Sequence, residues 1–128
     1  MSPSSAHETP AAIRSALLRY STAHSDPRVS LERLILRDAG NVSSPDSNEQ
    51  LAIEQLVKLK AETKLLIALG GDNSVTYSAV KATGATGLIT FDAHYDLRDG
   101  ISNGSPVRRL IEADVDGKNV VQIGIADF

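Results

Sequence analysis

The feature that most constrains the fold is a short apolar run that stops abruptly in polar side chains of the kind that bind metals. Leu88–Phe91 is rich in β-forming residues, and Asp92, His94 and Asp96 follow it on alternate residues. This order predicts a buried strand with a site at its carboxyl end. In an extended backbone alternate residues project to one side, so the three side chains would converge on one point. Two carboxylates and an imidazole suit a divalent ion such as Mn, Fe, Zn or Mg.

A short motif of this kind also arises by chance. The alternative interpretation of the same residues is a solvated acidic loop that happens to contain a histidine. The choice between the two depends on what the rest of the chain places beside the motif.

The composition excludes several classes of protein. At 128 residues the chain has the length of a single domain, and we expect residues 1–128 to form one. It contains no Cys, which excludes disulfides and thiolate ligands, and no apolar run approaches the ~20 residues that a membrane span needs. A net charge of -3 with 13 Lys and Arg residues offers no basic footprint for nucleic acid. With no secretory signal, we expect a cytoplasmic protein that binds neither membranes nor nucleic acid.

Helix-type and strand-type patterns alternate along the chain, which predicts a parallel α/β sheet with right-handed crossovers. In such sheets binding sites gather at the carboxyl ends of the strands. Gly70–Ser74 and Asp92–Gly100 directly follow consecutive predicted strands, so we expect these two loops to share one edge of the sheet. The predicted helices are at about 10–20, 47–61, 75–83 and 106–113, and the predicted strands are at 34–36, 65–69, 88–91 and 120–125.

Local signals indicate how two of these helices begin and which face they bury. Ser47 with Gln50 three residues later matches a capping box. Ser105-Pro106 is a cap followed by Pro at the first helical position. In the helix after Pro106, we expect Arg108 and Arg109 to form the solvated side, because most Arg residues are exposed.

Four motifs stand in order along the chain. They are Gly70-Gly71-Asp72-Asn73-Ser74-Val75-Thr76, Phe91-Asp92-Ala93-His94-Tyr95-Asp96, Asn103-Gly104-Ser105-Pro106-Val107 and Val121-Gln122-Ile123-Gly124-Ile125. In order and spacing they resemble the arginase/agmatinase/formimidoylglutamase (ureohydrolase) family. The resemblance covers most of the chain from about residue 31. It implies a three-layer αβα fold with a mainly parallel sheet, of which this chain would be the N-terminal part.

The resemblance also implies a dinuclear manganese site that activates water to attack a guanidino or amidine carbon. Asp92 matches the carboxylate that bridges both metals, His94 a ligand of one metal and Asp96 a ligand of the other. Asp92 and His94 are accordingly the candidate catalytic residues.

The chain departs from the family pattern in three places. Asn73 stands where members usually carry a metal-binding His, and its amide oxygen is a weaker ligand, so we expect one Mn²⁺ ion or none. Asn103 stands where many arginases carry a His that transfers protons. The later Ser-x-Asp-x-Asp motif of the family has no counterpart in these 128 residues. We therefore expect an internal piece or a degenerate member of the family.

The function predicted on this basis is hydrolysis of linear C–N bonds in amidine or guanidino compounds, with formimidoylglutamate ahead of agmatine and arginine. We expect little or no activity from this stretch alone. The alternatives are a non-catalytic metal-binding pseudoenzyme and a scaffolding α/β domain. A partial sheet leaves strand edges and apolar faces open, which favours a homo-oligomer.

Overall fold

The computed structural model describes residues 5–42 and 47–126. Single turns of 3-10 helix lie at Ser5–Glu8, Leu31–Arg33 and Gly117–Asn119. From residue 74 onward helices and strands alternate, as predicted. In chain order the main elements are α1 (Thr9–Leu17), α2 (Glu49–Ala61), α3 (Ser74–Thr83), β1 (Leu88–Phe91), α4 (Pro106–Glu112) and β2 (Val120–Ile123).

The strands β1 and β2 form a parallel pair in which Leu88 lies opposite Val120 and Phe91 opposite Ile123. Parallel neighbours need a crossover connection, and α4 lies in this one. The backbone N–H of Asp92 donates to the carbonyl of Ile123 at 3.0 Å, which carries the pairing one residue beyond β1. The prediction of a parallel α/β arrangement is confirmed for this pair.

The strands predicted at 34–36 and 65–69 are wrong. Neither segment pairs with a neighbouring strand among residues 5–42 and 47–126. Ile35 is 99% exposed and Leu65 is 75% exposed, so their apolar side chains face solvent. A strand requires a hydrogen-bonded neighbour, and an apolar sequence pattern cannot show whether one is present.

The helix ends follow the expected chemistry with small shifts. Asn48 caps α2, and its Oδ1 accepts the Leu51 N–H at 3.0 Å. The predicted capping box of Ser47 and Gln50 is wrong, because Asn48 takes the cap position and the Gln50 side chain turns to Glu54. The helix α1 ends at residue 17, three residues earlier than predicted. The helix α3 ends as predicted, with the following glycine in the left-handed conformation.

The hydrophobic core lies largely between the helices α2, α3 and α4. A polar contact joins the same three helices: Arg109 donates from Nη1 to Glu49 at 2.9 Å, and its guanidinium lies 3.6 Å from the ring centroid of Tyr77. The Arg109 side chain is only 13% exposed, so its predicted place on the solvated side is wrong. The contacts with Glu49 and with the ring of Tyr77 provide the reason, and both depend on helix packing. The buried apolar residues are Ala52, Leu56, Ala82, Val107, Leu110 and Val115.

The two faces of the strand pair differ in exposure. Ile89 lies opposite Val121 and Phe91 opposite Ile123, and all four side chains are exposed on one face. On the other face Thr90 Oγ1 is buried without a hydrogen-bond partner. The strand pair therefore presents one open apolar face, which we call the open sheet face.

Among the residues described, no helix is both long and apolar enough to traverse a bilayer.

Candidate functional site

The start of α3 and the end of β1 meet at the side chain of Asn73. Its Nδ2 donates to Asp92 Oδ2 at 3.2 Å and also to Asp96 Oδ2. Its Oδ1 accepts a short hydrogen bond from Thr76 Oγ1. The amide therefore presents its donor side to two carboxylates and its acceptor side to a hydroxyl.

The glycine pair before Asn73 shapes this loop. Gly71 lies so close to Ala6 that a Cβ on it would overlap the Ala6 carbonyl oxygen. Asp72 then accepts the Ser74 N–H at 3.0 Å, which satisfies a backbone donor at the start of α3. Because Asp72 carries this capping bond, the side chain of Asn73 is directed toward the carboxylates instead.

Asp92 uses both of its carboxylate oxygens. Its Oδ1 accepts the backbone N–H of His94 at 2.8 Å and lies 3.2 Å from Nδ1 of the same histidine. Its Oδ2 accepts from Asn73. The first contact is a side-chain turn of the Asx type, which folds the chain back directly after β1.

Asp96 is buried and has an unusual backbone. Its φ is +55°, a left-handed conformation that few residues other than Gly adopt, with Asp and Asn among the exceptions. Burial raises the pKa of the Asp96 carboxyl, and the nearby negative charge of Asp92 raises it further. The charges of His94 and Arg98 act in the opposite direction.

The backbone from Asp92 to Asp96 differs from the extended conformation that was predicted. The strand ends at Phe91, and neither the Asx turn at Asp92 nor the left-handed Asp96 continues the extended backbone. The expected alternation of three side chains on one strand is therefore wrong. Asp92 and Asp96 meet through Asn73, while the side chain of His94 contacts Asp92 and is 71% exposed.

An open cavity of about 640 Å³ adjoins this cluster. Asn103, from the third sequence motif, lines it together with Tyr95 and Arg98. The two loops that were predicted to share a sheet edge thus border one cavity. In the part of the chain that the structure describes, no group of three or more His, Cys, Asp or Glu side chains is arranged to hold a metal ion. The assignment of Asn73, Asp92, His94 and Asp96 as ligands stays a prediction.

The site includes two residues that sequence reasoning missed. Thr76 fixes the amide of Asn73, and its spacing of three residues at a helix start is a signal that could have found it. Arg108 contacts the loop after Asp96 instead of forming a solvated surface. No local pattern indicates that contact, because it depends on how α4 packs.

Comparison with known proteins identifies the family. The arginase family model matches residues 2–128. Formimidoylglutamase from Halalkalibacterium halodurans is 36% identical over 148 aligned residues, which cover 100% of this chain and 45% of that protein. Agmatinase from Pyrococcus horikoshii is 36% identical over 70% of this chain and 34% of its own length. The chain thus spans less than half the length of these relatives.

The fold agrees with the sequence comparison. A crystal structure of formimidoylglutamase from Bacillus subtilis superimposes with a TM-score of 0.83 at 31% identity, over 98% of this chain and 43% of that one. The predicted arginase-like α/β fold is therefore confirmed over the aligned part. The chain belongs to the arginase family.

Proposed function

We propose that the chain carries one half of the metal site of a hydrolase that cleaves linear C–N bonds in amidine or guanidino compounds. One observation supports this most: two carboxylates, on Asp92 and Asp96, face the same amide group at the carboxyl end of a parallel strand. Two neighbouring carboxylates in a partly buried site repel each other when both are charged and no positive group lies near them. A cation between them would relieve that repulsion.

The donor set fits Mn²⁺. Hard carboxylate oxygens from Asp92 and Asp96 and an imidazole nitrogen from His94 are the ligand types that this ion accepts. A bound Mn²⁺ would lower the pKa of a water molecule and orient it toward the substrate carbon. Asp92 holds His94 through Oδ1, so its remaining oxygen is the one directed toward Asn73.

Asn73 fits such a site only if its side-chain amide rotates so that Oδ1 and Nδ2 exchange places. As placed, it directs the Nδ2 donor toward the carboxylates, where a cation would require Oδ1. The partner on the other side, Thr76 Oγ1, is a hydroxyl that can donate or accept. Rotation of the amide would therefore keep the bond to Thr76 and present oxygen to the metal. An amide oxygen binds Mn²⁺ more weakly than an imidazole, and for that reason we propose one ion in this chain.

The substrate class is proposed from the relatives. Formimidoylglutamase of H. halodurans aligns with the whole chain, whereas agmatinase of P. horikoshii aligns with 70% of it. We therefore place an amidine such as formimidoylglutamate ahead of agmatine and arginine. The open cavity beside the carboxylates is the place where such a small molecule would bind.

A non-catalytic metal-binding domain is the second candidate. The orientation of the Asn73 amide favours it, because the Nδ2 donor faces the carboxylates and supplies no ligand to an ion. Such a domain would bind Mn²⁺ and hydrolyse nothing.

Two assays test these candidates, and the first tests the metal site that both share. Mn²⁺ is titrated into the 128-residue chain, and the free ion is followed by electron paramagnetic resonance. We expect one bound ion, lost in Asp96→Asn and retained in the control Asp99→Asn, since Asp99 has no place in the proposed ligand set. Equal binding by the wild type and Asp96→Asn would contradict the proposed site.

The hydrolase proposal is tested by an activity assay on the purified protein. We expect it to release formamide from formimidoylglutamate in the presence of Mn²⁺. Bound Mn²⁺ without release of formamide, or of urea from agmatine or arginine, would assign the second candidate instead.

The assembly is also a proposal. The open sheet face carries Ile89, Phe91, Val121 and Ile123, and burying it would remove apolar area from water. We propose that the chain self-associates through this face. We also propose that it acts in the cytoplasm, on a small-molecule substrate.

A further inference from the structure

The Arg108 side chain contacts the backbone of the loop after Asp96. We call residues 97–104 the site loop. Arg108 donates from Nε to the carbonyl of Arg98 and from Nη2 to the carbonyl of Gly100, each at 2.7 Å. The backbone N–H of Arg108 donates to the carbonyl of Asp96 at 3.2 Å. One residue of α4 therefore contacts three carbonyls between Asp96 and Gly100.

The site loop has further hydrogen bonds near its end, where Ser102 pairs with Ser105. It contains no helix or strand, and its base is closed by a hydrogen bond from the Arg98 N–H to the Gly104 carbonyl at 3.0 Å. Gly100 adopts a φ of +76°. Carbonyls in an irregular segment need donors, and a guanidinium supplies charged ones, which bind carbonyl oxygens more strongly than neutral donors do.

These contacts are separate from the apolar packing of α4. The helix buries Val107 and Leu110, whereas the Arg108 side chain is 24% exposed and lies over the site loop. Its third nitrogen, Nη1, pairs with Glu112 one turn later in the same helix. This pair offers a control, because it uses the same side chain without contacting the loop.

We propose that Arg108 is a positioning residue, which holds the site loop so that Asp96 keeps its left-handed backbone and directs its carboxylate at Asn73. A left-handed Asp persists only where its surroundings hold it there. The side chain of Arg108 fixes the carbonyls two and four residues after Asp96, and its amide fixes the carbonyl of Asp96 itself. The link from this geometry to metal affinity rests on the proposed function.

The two carbonyl contacts require the planar, forked guanidinium of Arg108. Two nitrogens of one planar group reach two carbonyls at once, whereas the ammonium of a lysine is a point charge on a flexible stem. Arg108→Lys keeps the charge and loses the fork. Glu112→Gln is the matched control, because it removes the ion pair and leaves both carbonyl contacts in place.

The first readout is amide hydrogen exchange in the metal-free chain. The amides of Arg98 and Gly104 are hydrogen-bonded within the site loop, and the amide of Ser102 donates to Ser105 Oγ directly after it. We expect all three to exchange faster in Arg108→Lys and at the wild-type rate in Glu112→Gln. The amide of Asp92, in the strand pair, should exchange at the same rate in both variants. Unchanged exchange in the loop would overturn the proposal, and so would an equal increase at Asp92, which indicates general destabilisation.

The second readout is Mn²⁺ affinity. Residues that orient metal ligands typically change affinity by 10- to 100-fold when replaced, and we expect roughly tenfold weaker binding in Arg108→Lys. Affinity equal to that of Glu112→Gln would overturn the positioning role. If the wild-type chain binds no Mn²⁺, the proposed metal site fails, and the exchange measurement alone then decides on the role of Arg108.

Discussion

Asn73 Nδ2 lies 3.2 Å from Asp92 Oδ2, so one side-chain amide joins the start of α3 to the end of β1. These residues belong to different sequence motifs, and each follows an apolar segment of the chain. The contact places the glycine-rich loop and the Asp-His-Asp loop beside one cavity.

Replacing Asn73 by His should strengthen metal binding. Imidazole is a better Mn²⁺ ligand than an amide oxygen, and the change also removes the Nδ2 donor that now faces both carboxylates. We expect tighter Mn²⁺ binding in Asn73→His by isothermal titration calorimetry. Asn73→Ala is the control, since it removes the donor without adding a ligand. Equal affinities for His and Ala at this position would show that residue 73 does not contact the ion.

Asp96→Asn should stabilise the metal-free chain at neutral pH. Burial raises the folded-state pKa of Asp96, so between the ordinary pKa of Asp and this raised value the folded chain holds more protons than the unfolded chain. The free energy of unfolding therefore falls as pH rises through that window, and it stays lowered above it. Asn carries no charge, and it tolerates a left-handed backbone.

Urea unfolding at a series of pH values tests this effect. The gain in the free energy of unfolding for Asp96→Asn should be present at pH 7 and should vanish below the ordinary pKa of Asp. A loss of stability in Asp96→Asn at pH 7 would show that the charged carboxylate is well satisfied without a metal.

Arg109→Met should destabilise the chain by about 2 kcal/mol. The Arg109 and Glu49 side chains are 13% and 30% exposed, so the cost should lie between that of a surface pair and that of a fully buried one. Loss of the contact with Tyr77 adds to it. The control is Arg37→Met, whose pair with Glu62 is exposed and should contribute at most about 1 kcal/mol. Equal urea midpoints for the two variants would contradict the role given to Arg109.

Phe91→Lys should weaken self-association of the chain. Phe91 is exposed on the open sheet face, and a charge there makes burial of that face costly. Sedimentation velocity should show a shift toward the monomer. Leu18→Lys is the control, because Leu18 is exposed to a similar degree but follows α1 and belongs to neither strand. A larger effect at Leu18 would place the contact elsewhere.

How much the sequence could predict differs between elements for physical reasons. The strand pair and the helices α2 to α4 were predictable because their patterns are local and their packing agrees with them. The segments at 34–36 and 65–69 have strand-like composition but no paired neighbour within the described residues, and pairing is not encoded locally. Arg109 was misplaced because its partners, Glu49 and Tyr77, are distant in sequence.

The candidate site shows the same division. The chemistry of Asp92, His94 and Asp96 could be read from residue types, but their geometry could not. Regular alternation was expected, whereas an Asx turn at Asp92 and a left-handed Asp96 shape the backbone there. Only the tertiary structure brings Asn73 between the two carboxylates.

We propose that Asp92, Asp96 and His94 together bind one Mn²⁺ ion. Pulsed electron paramagnetic resonance of the Mn²⁺-loaded chain measures the coupling of the ion to nearby nitrogen nuclei and tests this claim most directly. We predict a histidine nitrogen coupling in the wild type that is lost in His94→Gln and kept in His24→Gln. A bound ion with no nitrogen coupling, or a coupling that persists in His94→Gln, would contradict the account.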